Sequence, residues 1–397
     1  MTQYHFAGGI LMGGLCLFLH AAAAAAPPVD CDKGKTIAKA LEQAKPGETI
    51  DVQGTCRETL TIRTDGVALV GRGGAVIDGG RQTVVTVAGA QRVTLQGLTI
   101  RNGHLGLVAT GGANVTLHNI TIQNNVNSGL RVEGQSSLEL TDCVSQGNTL
   151  NGVEVDRASE VKISGSFLSQ NNQLFGLVLN NASSVTFAQA TATVQHNTLG
   201  IQIGANSSAF LADAATTVTA SNNLATGLTV VSGSTLFAFE GKIVAENNRF
   251  NHGVSANSHS NIDLDRGGTI IARNNGQDGI QLEDSLLNLF NMPGLPGSRV
   301  EASGNRRHGL SAFLESRIDL SGDSVVTSQN NDNAGLLADN GSFVRLVNST
   351  LTSNRGRDLV LSFGSRADLN TTNAIGTVSC DDTVLIRGNA SLSCPTP

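Results

Sequence analysis

Ten glycines, each followed by a branched apolar residue, stand at Gly106, Gly129, Gly152, Gly176, Gly200, Gly227, Gly253, Gly279, Gly309 and Gly335, 23 to 30 residues apart. Asp358 takes the same place in an eleventh copy. A period of this length belongs to a solenoid, in which each repeat lays down one coil and no coil can bury its apolar face alone. The repeat decides the architecture and leaves any reaction open, because the recurring residues are those a coil needs for packing.

Counting from each glycine writes the rest of the coil. The next residue is Leu, Ile or Val, and further apolar pairs follow at nine and eleven residues, such as Leu138 and Leu140, Ile262 and Leu264, or Ile318 and Leu320. Polar residues between them give the period of two of strands with one buried face. A third strand, including Val144, Leu168, Val218, Ile243, Ile271 and Val325, completes a coil of three. Four residues before the glycine stands Asn, at 102, 125, 148, 172, 223, 275, 305, 331 and 354, nine of eleven copies. Ser recurs seven residues after it, at 136, 159, 183, 207, 234, 260, 316, 342 and 365. Asn tolerates left-handed turns and its amide both donates and accepts, so an interior asparagine ladder is expected, with the polar stacks serving the backbone of tight turns. A helix is expected only at Thr36 to Ala44, before Pro46 and Gly47, as a cap over the first coil. Gly71, Gly73 and Gly74 do not make a dinucleotide loop, since no helix follows them.

The first 26 residues read as an export signal: an apolar stretch from Phe6 to Leu19, then the alanine run Ala21 to Ala26. A secreted protein, periplasmic or extracellular, with no membrane span after signal removal, is the expectation. Cys31 with Cys56, and Cys380 with Cys394, would close short loops and pin the two ends in an oxidising compartment, leaving Cys143 as a buried thiol. The chain divides accordingly into a signal (1–26), an N-terminal cap (27–60), the solenoid (61–373) and a C-terminal cap (374–397). Net charge is −6 and no Lys/Arg cluster occurs, which argues against nucleic acid as a partner. There is no Trp, and the single Tyr lies in the signal with Phe6 and Phe18, so the other eleven of the 13 Phe are the aromatic supply.

The order GETIDVQGTCRETLTI, GVALVGRGGAVIDGG, then repeats of the form NN-x-x-x-G-[LIV]-x-[LIV], resembles the right-handed parallel β-helix superfamily of pectate lyases, polygalacturonases and generic β-helix repeat proteins, from about Cys31 to about Asn373. The resemblance implies an all-β, single-stranded, right-handed parallel β-helix of about 12–14 coils with an N-terminal helix cap. It does not settle activity, because the superfamily's members differ in chemistry.

Outward residues nine to eleven past the glycine form a column: Thr94, Thr116, Glu139, Lys162, Thr186, Phe210, Phe237, Asp263, Asp319, Arg345 and Asp368, with Asn288 entering between Asp263 and Asp319 where one copy slips by a residue. Lyase relatives use a strand face with Asp or Glu holding calcium against a uronate and an Arg or Lys removing the proton beside it. That likeness makes Asp263, Asp319 and Arg345 the catalytic candidates and Asp265, Arg266, Arg317 and Asp368 the substrate-binding ones, with calcium the cofactor it brings in. Simple salt-bridge stacking explains the same residues. A hydrolase would use Asp263 and Asp319, two coils or ~9.6 Å apart, but no paired Asp-Asp, Gly-His-Gly or Arg-x-Lys arrangement accompanies them. The mature histidines (His104, His118, His196, His252, His259 and His308) read as sharing no register, with no metal site among them. The expected function is binding or processing of an acidic polysaccharide or cell-surface glycan, lyase-like rather than hydrolytic; the alternative is a noncatalytic scaffold or adhesin. The longest excursion, residues 289–300 (LFNMPGLPGSRV), lies one coil from Asp263 and one from Asp319.

Overall fold

The computed structural model describes residues 28–291 and 293–388; the expected signal and Cys394 lie outside them. Every paired strand runs parallel to the equivalent strand of the next coil, the arrangement of a parallel β-helix. Three strand rows wind around one core. The row after each glycine forms a sheet of fourteen strands, which counts fourteen coils. The other two rows share a second sheet of 25 strands. They are called here the glycine-led row, the serine-led row (Asn114–His118 and its equivalents) and the third row (Thr121–Gln123 and its equivalents). In five coils the serine-led and third strands fuse into long strands, Thr49–Cys56, Ala68–Asp78, Ser137–Gln146, Glu160–Gln170 and Ser184–Gln195, with register shifts along them.

The core is a stack of aliphatic side chains. Along the glycine-led row Leu107, Val254, Ile280, Leu310, Leu336 and Leu359 are fully buried, one per coil. Between the third row and the glycine lies a tight turn whose polar groups are also buried. Asn125, Asn148, Asn172, Asn197, Asn223, Asn248, Asn275, Asn305 and Asn331 form a continuous ladder ending on Asn354. From Asn148 onward each Oδ1 accepts from the backbone and side-chain amides of the preceding coil's asparagine. Asn275, for instance, accepts from Asn248 N–H at 3.2 Å and Asn248 Nδ2 at 3.0 Å, and donates to Asn305 Oδ1 and Ala245 O at 3.0 Å each. Buried polar groups are thereby satisfied coil by coil.

Two rungs escape the four-residue count. Asn197 lies three and Asn248 five residues before its glycine, because the intervening turn is one residue shorter or longer. Asn102, by contrast, stands outside the ladder: it has φ 58° and donates to Asp78, while Gly103 N–H opens the ladder on Asn125. The repeat glycine is required by this packing, since a Cβ at Gly279 would lie 2.6 Å from Gly309 O and 2.7 Å from Asn305 Nδ2. At the far end Asp358 replaces the glycine and accepts from Asn354 and Thr377.

The serines make a second relay, Ser136 to Ser159, Ser183, Ser207 and Ser234, each backbone N–H donating to the next hydroxyl. Ser285 carries it between Ser260 and Ser316, at the copy that slips by one residue. The N-terminal helix spans Ile37–Gln43, with Thr36 as N-cap, and its first N–H groups donate to Glu58 at 2.7 and 2.9 Å. Cys31 is bonded to Cys56, which ties the segment before that helix to the first coil. Cys380 is disulfide-bonded as well. Cys143 is a buried thiol, pushed up to about 11 by burial.

Candidate functional site

The outward column of the serine-led row runs in the expected register. Phe237, Asp263, Asn288, Asp319, Arg345 and Asp368 are direct neighbours on successive strands, continuing to Arg387. Not all candidates meet. Asp319 is the hub: Arg317, two residues before it on the same strand, and Arg345 on the next coil both pair with its carboxylate, Arg345 at 2.6 Å. Arg317 also lies 4.8 Å over the Phe343 ring. Asp263 stands apart from this group, two strands away, and accepts from Asn288 Nδ2 at 3.3 Å. Burial pushes its carboxyl above the usual range, against the lowering effect of Asn288. Asp265 and Arg266 form their own pair at 3.8 Å at a turn where Arg266 has φ 53°. Asp368 follows Arg345 in register and lines a shallow depression with it and Arg387. Lys162 and Glu139 pair at 3.5 Å further up the row.

A different part of the same coils carries an arrangement that the reading of the histidines missed. His252, Asp278 and His308 each occupy the position immediately before a repeat glycine, so they do share a register, on three successive coils. The signal was present in the His-Gly pairs at 252–253 and 308–309; the asparagine count hid it, because turn length varies before that position. All three are buried, Asp278 fully. His252 Nδ1 accepts from Asp278 N–H at 3.3 Å, Asp278 Oδ1 from His308 N–H at 2.9 Å, and His308 Nδ1 from Ala334 N–H at 3.1 Å. Ser311 Oγ donates to the other Asp278 oxygen at 2.8 Å, and Arg307 lies 3.8 Å from it. An imidazole whose Nδ1 accepts from a backbone N–H is neutral with its proton on Nε2. Burial accordingly pushes both histidines below their ordinary value, opposed by Asp278 and assisted by Arg307.

Beside this row, on the turn ridge itself, lies an open pocket of about 370 Å³ lined by Asn222, Asn247, Asn274, Arg249, Gly276 and Arg306. The three asparagines are the outward partners of ladder rungs, each in the left-handed region at φ 54–57°. Arg249 and Arg306 flank the coil that has Gly276 at the equivalent place, so a gap with no side chain separates two guanidiniums. Gly276 is dictated by packing, since its Cβ direction is filled by the Arg249 carbonyl. Both arginines are exposed, and among the described residues neither is in an ion pair; Arg249 rests 4.8 Å over the Phe250 ring. Among the described residues one group of three metal-capable side chains converges, Cys31, Cys56 and Glu58, and its cysteines are in the disulfide.

Parallel three-strand coils with an aliphatic core and an asparagine ladder along one turn define a parallel β-helix. The model of the right-handed β-helix region matches residues 60–209 and 105–287, more than half of the chain, and the protein belongs to that family. No curated protein sequence matches it. Among solved structures, the A-module of an Azotobacter vinelandii mannuronan C-5 epimerase is similar at 15% identity and a TM-score of 0.50, covering 90% of this chain and 92% of its own. A periplasmic alginate epimerase matches at 13% identity and a TM-score of 0.45, covering 91% and 82%. A pectin methylesterase in complex with a hexasaccharide matches at 14% identity and a TM-score of 0.28, covering 57% and 75%. At 15% identity the likeness to the A-module is one of fold.

Proposed function

We propose that the protein binds an acidic polysaccharide outside the cytoplasm, with the turn-ridge pocket as its carboxylate-holding site. The observation that carries this reading is the pair of unpaired guanidiniums, Arg249 and Arg306, on either side of the Gly276 gap. A planar guanidinium matches a carboxylate in a bidentate fork, and the amides of Asn222, Asn247 and Asn274 offer donors and acceptors for ring hydroxyls. The disulfide supports an oxidising compartment. The test is titration of the mature protein with polygalacturonate and alginate, each also followed by ultraviolet absorbance for unsaturated products. Arg249→Ala with Arg306→Ala should lower affinity at least tenfold; unchanged affinity removes the pocket from the proposal. An absorbance rise makes the protein a lyase, and binding without one makes it a noncatalytic module.

One observation favours a second surface for chemistry. Asp263 and Asp319 lie two strand spacings apart, ~9.6 Å, in contrasting surroundings: one half-buried and raised, the other flanked by two guanidiniums. Carboxyls whose environments differ in this way can divide acid and base roles. In this reading Arg345 and Arg317 position Asp319, and Asp265, Arg266 and Asp368 border the track. Asp263→Asn and Asp319→Asn should each abolish any turnover; retained turnover in either excludes this surface from catalysis.

A further inference from the structure

The serine-led row also carries an aromatic group that neither reading uses. Phe210 and Phe237 are neighbours in the outward column, and Phe239 lies two residues along the Phe237 strand. Their rings cluster: Phe210 to Phe239 at 5.3 Å and Phe237 to Phe239 at 6.2 Å, both tilted. Arg266 sits 5.0 Å over the Phe239 ring. Phe237 is 38% exposed, and Phe210 and Phe239 are partly so. The sequence spread these residues over 30 positions; the coil period gathers them.

What surrounds the rings argues against a plain apolar partner. In the same column Thr186 precedes Phe210, and Asp263 with Asn288 follows Phe237. A hydrophobic protein surface laid over Phe237 would bury the Asp263 carboxylate, for which no cation is placed among the described residues. A sugar ring has the complementary pattern: an apolar C–H face for the aromatic rings and hydroxyls at its rim that donate to a carboxylate and an amide. The strand spacing of ~4.8 Å is close to the length of one pyranose along an extended 1,4-linked chain, so consecutive sugars fall on consecutive coils. Asp263 repels a uronate at this place and accepts from neutral hydroxyls, so a chain turned over between Asp263 and Asp319 carries an uncharged residue at this coil. We propose that Phe210, Phe237 and Phe239, with Asp263 and Asn288, form a stacking subsite for uncharged pyranose residues, separate from the turn-ridge pocket. This subsite does not rest on the uronate reading, and the two have independent outcomes.

The experiment is calorimetric titration of the mature wild-type protein with cellohexaose and with mannohexaose, repeated with Phe237→Ala and Asp263→Ala and, as a control, with Arg249→Ala/Arg306→Ala. The expected result is binding of at least one hexaose, weakened tenfold or more by Phe237→Ala, weakened by Asp263→Ala, and unchanged by the arginine pair. Phe237 is partly exposed, so its variant should fold; unfolding temperature and circular dichroism verify this for each variant. No binding of either hexaose at millimolar concentration overturns the subsite, as does equal binding by Phe237→Ala. Light scattering on the same samples supplies a further outcome: a wild-type dimer that Phe237→Ala converts to monomer would show that a second copy, rather than a sugar, covers the rings.

Discussion

The turn ridge and the serine-led face belong to the same coils and are both rich in polar side chains, yet they use them in opposite ways. On the ridge, Asn275, Asp278, His252 and His308 are buried, and backbone groups of the neighbouring coil depend on them. On the serine-led face, Lys162, Glu139, Arg317 and Arg345 pair in solvent. Stability therefore resides in the first set, and the second is free to be changed for function. Arg249 and Arg306, which crown the ridge with no ion-pair partner among the described residues, combine the rigid placement of the one with the accessibility of the other.

The largest effect should come from the ladder. Asn275→Ala removes four hydrogen bonds and leaves two amide donors of Asn248 unmet; at ~1–3 kcal/mol for each buried group left unsatisfied, a loss of about 3 kcal/mol is expected by chemical denaturation. A loss below about 1 kcal/mol would show that water replaces the rung. Asp278→Ala comes next at about 2 kcal/mol, since it orphans His308 N–H and the Ser311 hydroxyl. Asp278→Asn, which keeps an acceptor, should recover part of this.

Acid separates the two regions further. His252 and His308 have folded values below the ordinary 6.5, so the unfolded chain takes up protons first. Stability is then fully present above pH 6.5 and falls as pH drops from there toward the folded values. The groups facing these rings are Asp278 and Arg307, and the slope should shrink in the double variant His252→Gln/His308→Gln. An unchanged slope between pH 6.5 and 5 would mean that other groups dominate. At the small end, Lys162→Ala should shift stability by no more than ~1 kcal/mol, as exposed pairs do; a larger loss would show that the serine-led face is structural after all.

The repeat made the coils legible from sequence because packing demands the same residue in the same place every time. Asp263, Asn288 and Asp319 were found in register even across the slipped copy, since strands tolerate no drift in pairing. The turns were harder. Their length varies by a residue while their hydrogen bonds stay fixed, so Asn197 and Asn248 fell off a constant count, and so did the common register of His252, Asp278 and His308. Counting backward from the glycine recovers the latter. Phe210 and Phe237 already stood side by side in the outward column, and only Phe239 was missed there; the Gly276 gap was invisible for another reason, since it depends on which side chains of separate coils fail to fill the space between them, and no single repeat states that.

Asp358 gives the ladder an end as well as a direction. Every asparagine both gives and receives, so the relay can be handed on from coil to coil without limit; a carboxylate only receives. Asp358 takes donors from Asn354 on one side and Thr377 on the other, so the side-chain relay stops here although its backbone N–H still donates to Thr377. A whole coil could be spliced in or out between two asparagines with the message intact. At Asp358 it could not, because a rung that only accepts has no side-chain amide to pass to the coil of Val378–Cys380 that follows.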